Sequence, residues 1–139
     1  MKHLFLMLVL ISILWSAELD WSNDYEASLE VAKKENKHLY VLVTSSTCRW
    51  CRKFESTTLQ NEKVLKMLNE KYVLVHADRD IDDLPSWFNV KRVPKHYFVT
   101  SKGEEIYSFV GYWDELDFRS FLGDVDKEYE KKIKQGIIK

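Results

Sequence analysis

The sequence predicts an α/β fold in which a central mixed β-sheet ends in a C-terminal antiparallel hairpin and carries helices on both faces. Three observations predict it. Two continuous β-branched and apolar runs, His38 to Thr44 and Tyr72 to Ala77, read as strands buried on both faces. A long helix-forming stretch separates them, and strands joined by a helical crossover run parallel. Two further short strands, His96 to Thr100 and Glu105 to Val110, are separated only by Ser101-Lys102-Gly103-Glu104, a turn with a glycine free to take positive φ.

The elements follow in order. Residues 1–16 read as a secretory signal peptide. Lys2 and His3 form a short polar start, and Leu4 to Trp15 is apolar apart from Ser12. Spanning a bilayer needs about 20 apolar residues, and this run is shorter, as suits a signal h-region. Ser16 and Ala17 supply small residues for cleavage, which is expected after Ser16. An uncleaved anchor is the alternative. Residues 17–139 then form a single expected domain. Trp21 to Lys37 reads as a helix, capped by Asn23 or Asp24, with Tyr25, Leu29 and Ala32 at helical spacing.

After the first strand comes Ser45-Ser46-Thr47, a polar turn, and then Cys48-Arg49-Trp50-Cys51. Helix formers continue to about Glu70, with Thr57-Thr58 marking a kink or a break and Phe54, Val64, Leu65 and Leu68 as core contacts. Asp78-Arg79-Asp80 ends the second strand. Ile81 to Phe88 is at best a short helix, and Asn89 to Arg92 a loop leading into Val93-Pro94. Beyond the hairpin, Gly111 introduces a final helix with Asp114 as cap and Leu116, Phe118, Phe121 and Leu122 as its apolar set. A charged tail begins at Asp124, and its last residues are expected to fray.

Composition narrows the function. With 45% hydrophobic residues, 139 residues hold one well-filled core and leave too little chain for two. A formal net charge of −1 gives no broad basic face for nucleic acid. The two cysteines are the most informative residues. A ring closed over three positions removes little entropy from the unfolded chain, so a structural staple is a poor explanation and redox chemistry a better one. A cysteine opening a helix after a buried strand meets backbone N–H groups and the positive end of the helix dipole, which favour the thiolate, the reactive form. Cys48 takes that position as the attacking thiol. Cys51, one turn deeper, is placed to resolve the mixed disulfide. Arg49 adjoins the nucleophile and tunes it by charge, with Arg52 and Lys53 adding to the local field.

The strand, the Cys-x-x-Cys helix start and the Val93-Pro94 step before a hairpin together resemble the thioredoxin fold. The segment from Asn23 to about Leu122 is similar to exported thioredoxin-like proteins. The resemblance implies a cis-proline at Pro94, with the backbone of Val93 offered to an extended substrate peptide. It implies a thiol–disulfide oxidoreductase acting on disulfides of exported proteins, with a slight lean to a reductase or electron relay. A membrane or soluble redox partner would reset the pair, no cofactor would be needed, and the location would be periplasmic or secreted. Any membrane contact would come through the signal segment alone. Two positions depart from the family. Thr47 stands where many members have Trp before the first cysteine, and Leu42 stands where they bury an acid that handles the proton of the deeper thiol. Deprotonation of Cys51 therefore needs water or another group. That departure keeps a second reading open, a non-catalytic thioredoxin-like module that holds a partner.

The remaining candidates have quieter readings. Trp50 is expected to be exposed beside Cys48 and to contact a partner. His96 reads as a half-buried strand histidine rather than a proton shuttle, and His38 and His76 as structural. Trp87-Phe88 and Tyr112-Trp113 read as core or rim packing. Lys131, Lys132 and Lys134 read as a solvated helix face. No metal site is expected, because zinc would need two ligands besides the cysteines and no His pair lies at ligand spacing.

Overall fold

A computed structural model describes residues 19–139, so the signal-peptide reading of residues 1–16 lies outside the described residues. Five strands form one sheet in the order β1-β3-β2-β4-β5. They are β1 (Trp21–Ser22), β2 (His38–Thr44), β3 (Tyr72–Asp78), β4 (Lys95–Val99) and β5 (Glu105–Val110). The helices are α1 (Tyr25–Glu35), α2 (Arg49–Ser56), α3 (Glu62–Lys71) and α4 (Glu115–Lys134). β2 pairs parallel with β3, and β4 antiparallel with both β2 and β5, so the mixed sheet and its terminal hairpin are as the sequence predicts.

The pattern of burial explains why these runs become strands. In β2 every residue from Leu39 to Thr44 is buried, as expected of a central strand covered on both faces. Alternate side chains feed two cores. Tyr40, Leu42 and Phe98 meet Phe54, Val64, Leu68, Phe118 and Leu122 from α2, α3 and α4. Leu39, Val41, Val43 and Tyr97 meet Tyr25 and Ala32 of α1 on the opposite face.

Several sequence expectations are corrected. Trp21 to Lys37 is not one helix. Trp21 and Ser22 pair with Leu74 and Val75 as a short edge strand, and α1 starts at Tyr25. Asp24 caps it, its carboxylate accepting from the Ala27 N–H at 2.9 Å, and Asn36 ends it in the left-handed region at φ 53°. Of the kink or break expected at Thr57-Thr58, the chain takes the break. A 3₁₀ turn at Thr58–Gln60 follows α2, and Asn61 recaps the chain for α3. The Thr58 hydroxyl holds the break to the far end of the fold by donating to the Trp113 carbonyl at 2.6 Å.

No helix forms over Ile81 to Phe88. The segment is an irregular loop that pushes Phe88 into the second core against Tyr25 and Tyr97. The charged stretch from Asp124 belongs to α4, which runs on to Lys134 in keeping with the helix-face reading of Lys131, Lys132 and Lys134; Val125 is buried, and Asp124–Lys127 and Glu128–Lys131 pairs lie along the outer face. Leu116, expected in the core, is 68% exposed, because the buried positions fall at Phe118, Leu122 and Val125 instead. The chain end does not fray either. Ile138 is buried in the first core, and the Lys102 ammonium donates to the Lys139 carbonyl at 2.7 Å.

Candidate active site

β2 ends at Thr44, and the chain turns through Ser45-Ser46-Thr47 into α2. The Cys48 N–H donates to the Ser45 carbonyl at 3.1 Å, and the Arg52 guanidinium donates to the Ser46 carbonyl at 3.1 Å, which ties the turn to the helix it precedes. Cys48 is the N-cap of α2. Its sulfur accepts from the Cys51 N–H at 3.1 Å, in the position where a capping oxygen usually sits. An N–H aimed at that sulfur and the helix dipole behind it both favour negative charge there. The two cysteines form a disulfide with a Cα–Cα distance of 5.3 Å. Cys48 is partly exposed, whereas Cys51 is 1% exposed, so only the first sulfur is open to a partner.

Pro94 immediately precedes β4, and Val43 pairs with Lys95 across the β2–β4 ladder. The proline therefore stands at the same end of the sheet as the disulfide. The Val93–Pro94 bond is cis. Pro94 itself is buried and Val93 half-buried, packed against the second core. The Pro94 carbonyl accepts from the Gly111 N–H at 2.8 Å, and Gly111 takes φ +109°, a conformation that favours glycine.

Next to Gly111, the Tyr112 ring lies 5.6 Å from that of Trp50, which is 50% exposed. The Lys53 ammonium sits between the two rings, 5.0 Å from one centroid and 4.7 Å from the other. Arg49 is exposed, and its guanidinium lies 5.8 Å from the Trp50 centroid. The structure thus gathers Cys48, Cys51, Trp50 and Arg49 on one turn of helix, with Tyr112 against Trp50 and the Val93-Pro94 step at the same end of the sheet. The aromatic–cation platform made by Trp50, Lys53 and Tyr112 is not legible in sequence, because Tyr112 lies far along the chain and reaches the site only through Gly111.

His96 is fully buried, deeper than the half-buried strand position expected. Its Nδ1 is 2.8 Å from the Tyr40 hydroxyl and its Nε2 3.0 Å from the Gly111 carbonyl. A carbonyl can only accept, so Nε2 carries the proton and the Tyr40 hydroxyl donates to Nδ1. Burial pushes the His96 pKa down to about 3, against a smaller upward pull from the Gly111 carbonyl, so the ring is neutral at ordinary pH. A sealed, neutral ring with both nitrogens engaged does not shuttle protons. It braces the Gly111 turn that holds Pro94.

Leu42 is fully buried, and no acid replaces it in β2. A polar pair lies beside it. His76, its register partner on β3, brings Nε2 within 3.0 Å of the Glu55 carboxylate on α2 and 3.1 Å of the Thr44 hydroxyl. Sequence reading takes His76 as structural and passes over Glu55. The only signal in the sequence is that Glu55 is the sole acid of the helix that carries the cysteines. Among the described residues no group of three or more His, Cys, Asp or Glu side chains is arranged to hold a metal, and no helix is long and apolar enough to cross a membrane.

Comparison with known proteins agrees with this geometry. Residues 25–126 match the family described as a thioredoxin-like domain. The chain is 39% identical to mouse spermatogenesis-associated protein 20 over 62 residues, which are 45% of this chain and 8% of that protein. It thus spans under a tenth of that relative's length. It is 29% identical to a probable protein disulfide-isomerase A4 of Caenorhabditis elegans over 105 residues, 74% of this chain and 17% of that one. In structure it is similar to a thioredoxin from Thermus thermophilus, with a TM-score of 0.66 at 22% identity, covering 77% of this chain and 86% of that chain. The chain belongs to the thioredoxin-like family and carries its Cys48–Cys51 disulfide at the head of α2.

Proposed function

We propose that this protein exchanges disulfides with exported proteins, with Cys48 as the entering nucleophile and Cys51 as the resolving thiol, and that it works as a reductant or electron relay. One observation carries the division of labour: Cys48 is partly open to solvent and caps α2, while Cys51 is sealed beneath it. An exposed capping sulfur is both accessible and stabilised as thiolate, whereas a buried one is reached only by a disulfide already attached to its neighbour. The sheet-end position of Val93 supports its role as the backbone rail for an extended substrate, and the exposed Trp50 ring supports contact with the residue flanking the substrate cysteine. Arg49 acts by adding positive charge at the helix start.

The N-terminal apolar run supports export, and hence a periplasmic or secreted setting and exported substrates. The β3–β4 connection lacks an inserted helical region of the kind that dedicated periplasmic oxidases carry, which supports the reducing direction. A membrane or soluble thiol partner would then re-reduce the pair. Insulin reduction tests the reading: turnover that vanishes in Cys48→Ser is expected, and turnover independent of Cys48 would overturn it. The apolar Leu42 position favours one competing reading, a partner-holding module whose cysteines rarely cycle. That reading requires no cysteine-dependent turnover in the same assay.

A further inference from the structure

Disulfide resolution by Cys51 raises a problem that the structure both poses and answers. The sulfur must lose its proton before it can attack, yet Cys51 is 1% exposed and is not open to bulk water. Leu42 and Phe54, both fully buried in the core beneath α2, offer no acceptor. Glu55 lies one helical turn beyond Cys51, and side chains at this spacing are neighbours on one helix face, with Cβ atoms about 5–6 Å apart. It is also the only carboxylate in α2, which carries Arg49, Arg52 and Lys53.

An ordinary surface glutamate here would turn outward to Arg52, three positions back on its own helix. Glu55 turns the other way, across the helix–sheet interface, and its Oε1 meets the His76 Nε2 at 3.0 Å. Its charge is felt by the fully buried Tyr40 hydroxyl, whose ionisation it opposes after the larger effect of burial. The same Nε2 lies 3.1 Å from the Thr44 hydroxyl, and the Trp21 ring packs edge-on against the imidazole with centroids 5.9 Å apart. Asp78, two residues along β3, is the other charged group on that face of its own strand.

We propose that Glu55, positioned by His76, is the proton acceptor for Cys51, an assignment that rests on the reading of Cys48 and Cys51 as the exchange pair. His76 Nε2 lies 3.0 Å from Oε1 and holds that oxygen of the carboxylate against β3. Among the described residues no donor bonds to Oε2, which leaves it open for the thiol proton. The step balances. With a substrate half bound to Cys48 as a mixed disulfide, the Cys51 thiol gives its proton to Glu55, and its sulfur attacks the Cys48 sulfur. The Cys48–Cys51 bond forms, the bond from Cys48 to the substrate sulfur breaks, and the electron pair leaves on the substrate thiolate, which is protonated by solvent. Glu55 and His76 have side chains 38% and 36% exposed, so the proton passes on to water from their outer edge. Run in reverse, the same pair returns a proton to Cys51 as the disulfide opens.

The test uses the reduced full chain and a single turnover with dithiobis-nitrobenzoate, which releases one chromophore when Cys48 attacks and a second when Cys51 resolves. In Glu55→Gln the second release is expected to slow by roughly 10²-fold near neutral pH, the usual scale of general-base help. The first release should stay within about twofold, and the deficit should shrink at alkaline pH, where the thiol ionises in water. His76→Gln, which keeps a polar side chain at the interface, should show the same selective defect in smaller measure, about tenfold. A second release at the wild-type rate at every pH in both variants would overturn the assignment. So would equal slowing of both releases, which marks a general loss of structure or field. A wild-type chain giving no first release fails differently, since it defeats the exchange-pair reading itself.

Discussion

Replacing His96 with leucine isolates the buried chain that runs from Tyr40 through His96 to Gly111. The substitution fills the site with apolar volume but leaves the Tyr40 hydroxyl and the Gly111 carbonyl without their partners. Each orphaned buried polar group costs about 1–3 kcal/mol, so a loss of roughly 2–5 kcal/mol is expected at neutral pH. The pH dependence is the sharper part. The folded pKa of about 3 lies below the ordinary 6.5, so between these values the unfolded chain binds the proton that the folded one refuses. The contribution of neutral His96 is therefore fully present above pH 6.5 and is lost as pH falls towards 3. The slope is about 1.4 kcal/mol per pH unit, and the cumulative loss is roughly 3 kcal/mol by about pH 4. His96→Leu has no such proton to take up. Urea melts of the oxidised protein at several pH values should show the gap between wild type and variant narrowing as pH falls. His38 is also pushed down, chiefly by burial, but it is common to both chains and cancels. A gap that stays constant from neutral pH to about pH 4 would refute the account of His96 as a sealed neutral ring.

Other outcomes follow from the same packing. Phe118→Ala, at a fully buried α4 position, should cost about 3–5 kcal/mol in urea unfolding, while Leu116→Ser, on the exposed face, should stay within about 0.5 kcal/mol. Ile138→Ala should destabilise by about 2–4 kcal/mol, because this residue is docked in the first core; a neutral result would mean that the chain end is loose. Trp50→Ala should raise KM for protein disulfides several-fold and leave kcat nearly unchanged, as expected for a residue that binds without touching the reacting sulfurs. Arg49, Arg52 and Lys53 have no carboxylate within ion-pair distance among the described residues. Turnover of an anionic disulfide should accordingly fall as salt is added, with a neutral hydroxyethyl disulfide almost unaffected.

The physical reasons for what was legible in the sequence are local ones. His38 to Thr44 and Tyr72 to Ala77 announce buried strands because both faces of each are covered, and no tertiary contact is needed to see that. The Ser101–Glu104 turn is equally local. What was missed depends on partners distant in the chain. Two residues, Trp21 and Ser22, carry no periodicity, and they are strand only because Leu74 and Val75 offer an edge. The Thr57-Thr58 break takes its form from the Trp113 carbonyl. Ile81 to Phe88 has apolar residues at near-helical spacing, but Phe88 is drawn into a socket made by Tyr25 and Tyr97, and the loop follows it. On α4 the charged stretch after Asp124 looks like solvent-facing tail, whereas it alternates outward ion pairs with an inward Val125.

The same division runs through the site. Cys48 and Cys51 are recognisable from spacing and context, since a thiol at a helix start after a buried strand has a chemistry that the strand itself predicts. Leu42 is recognisable only as a gap, because a sequence shows that an acid is missing and not where another has been placed. The register of β2 against β3 sets His76 beside Leu42, and one turn of α2 sets Glu55 beyond Cys51. Neither displacement leaves a motif. A carboxylate taken from the strand and supplied from the helix keeps the polar group near the deeper sulfur but moves it from the sealed core to a half-open edge. Its proton then has a route to water that does not cross the core. The apolar residue at position 42 is thereby compatible with exchange chemistry.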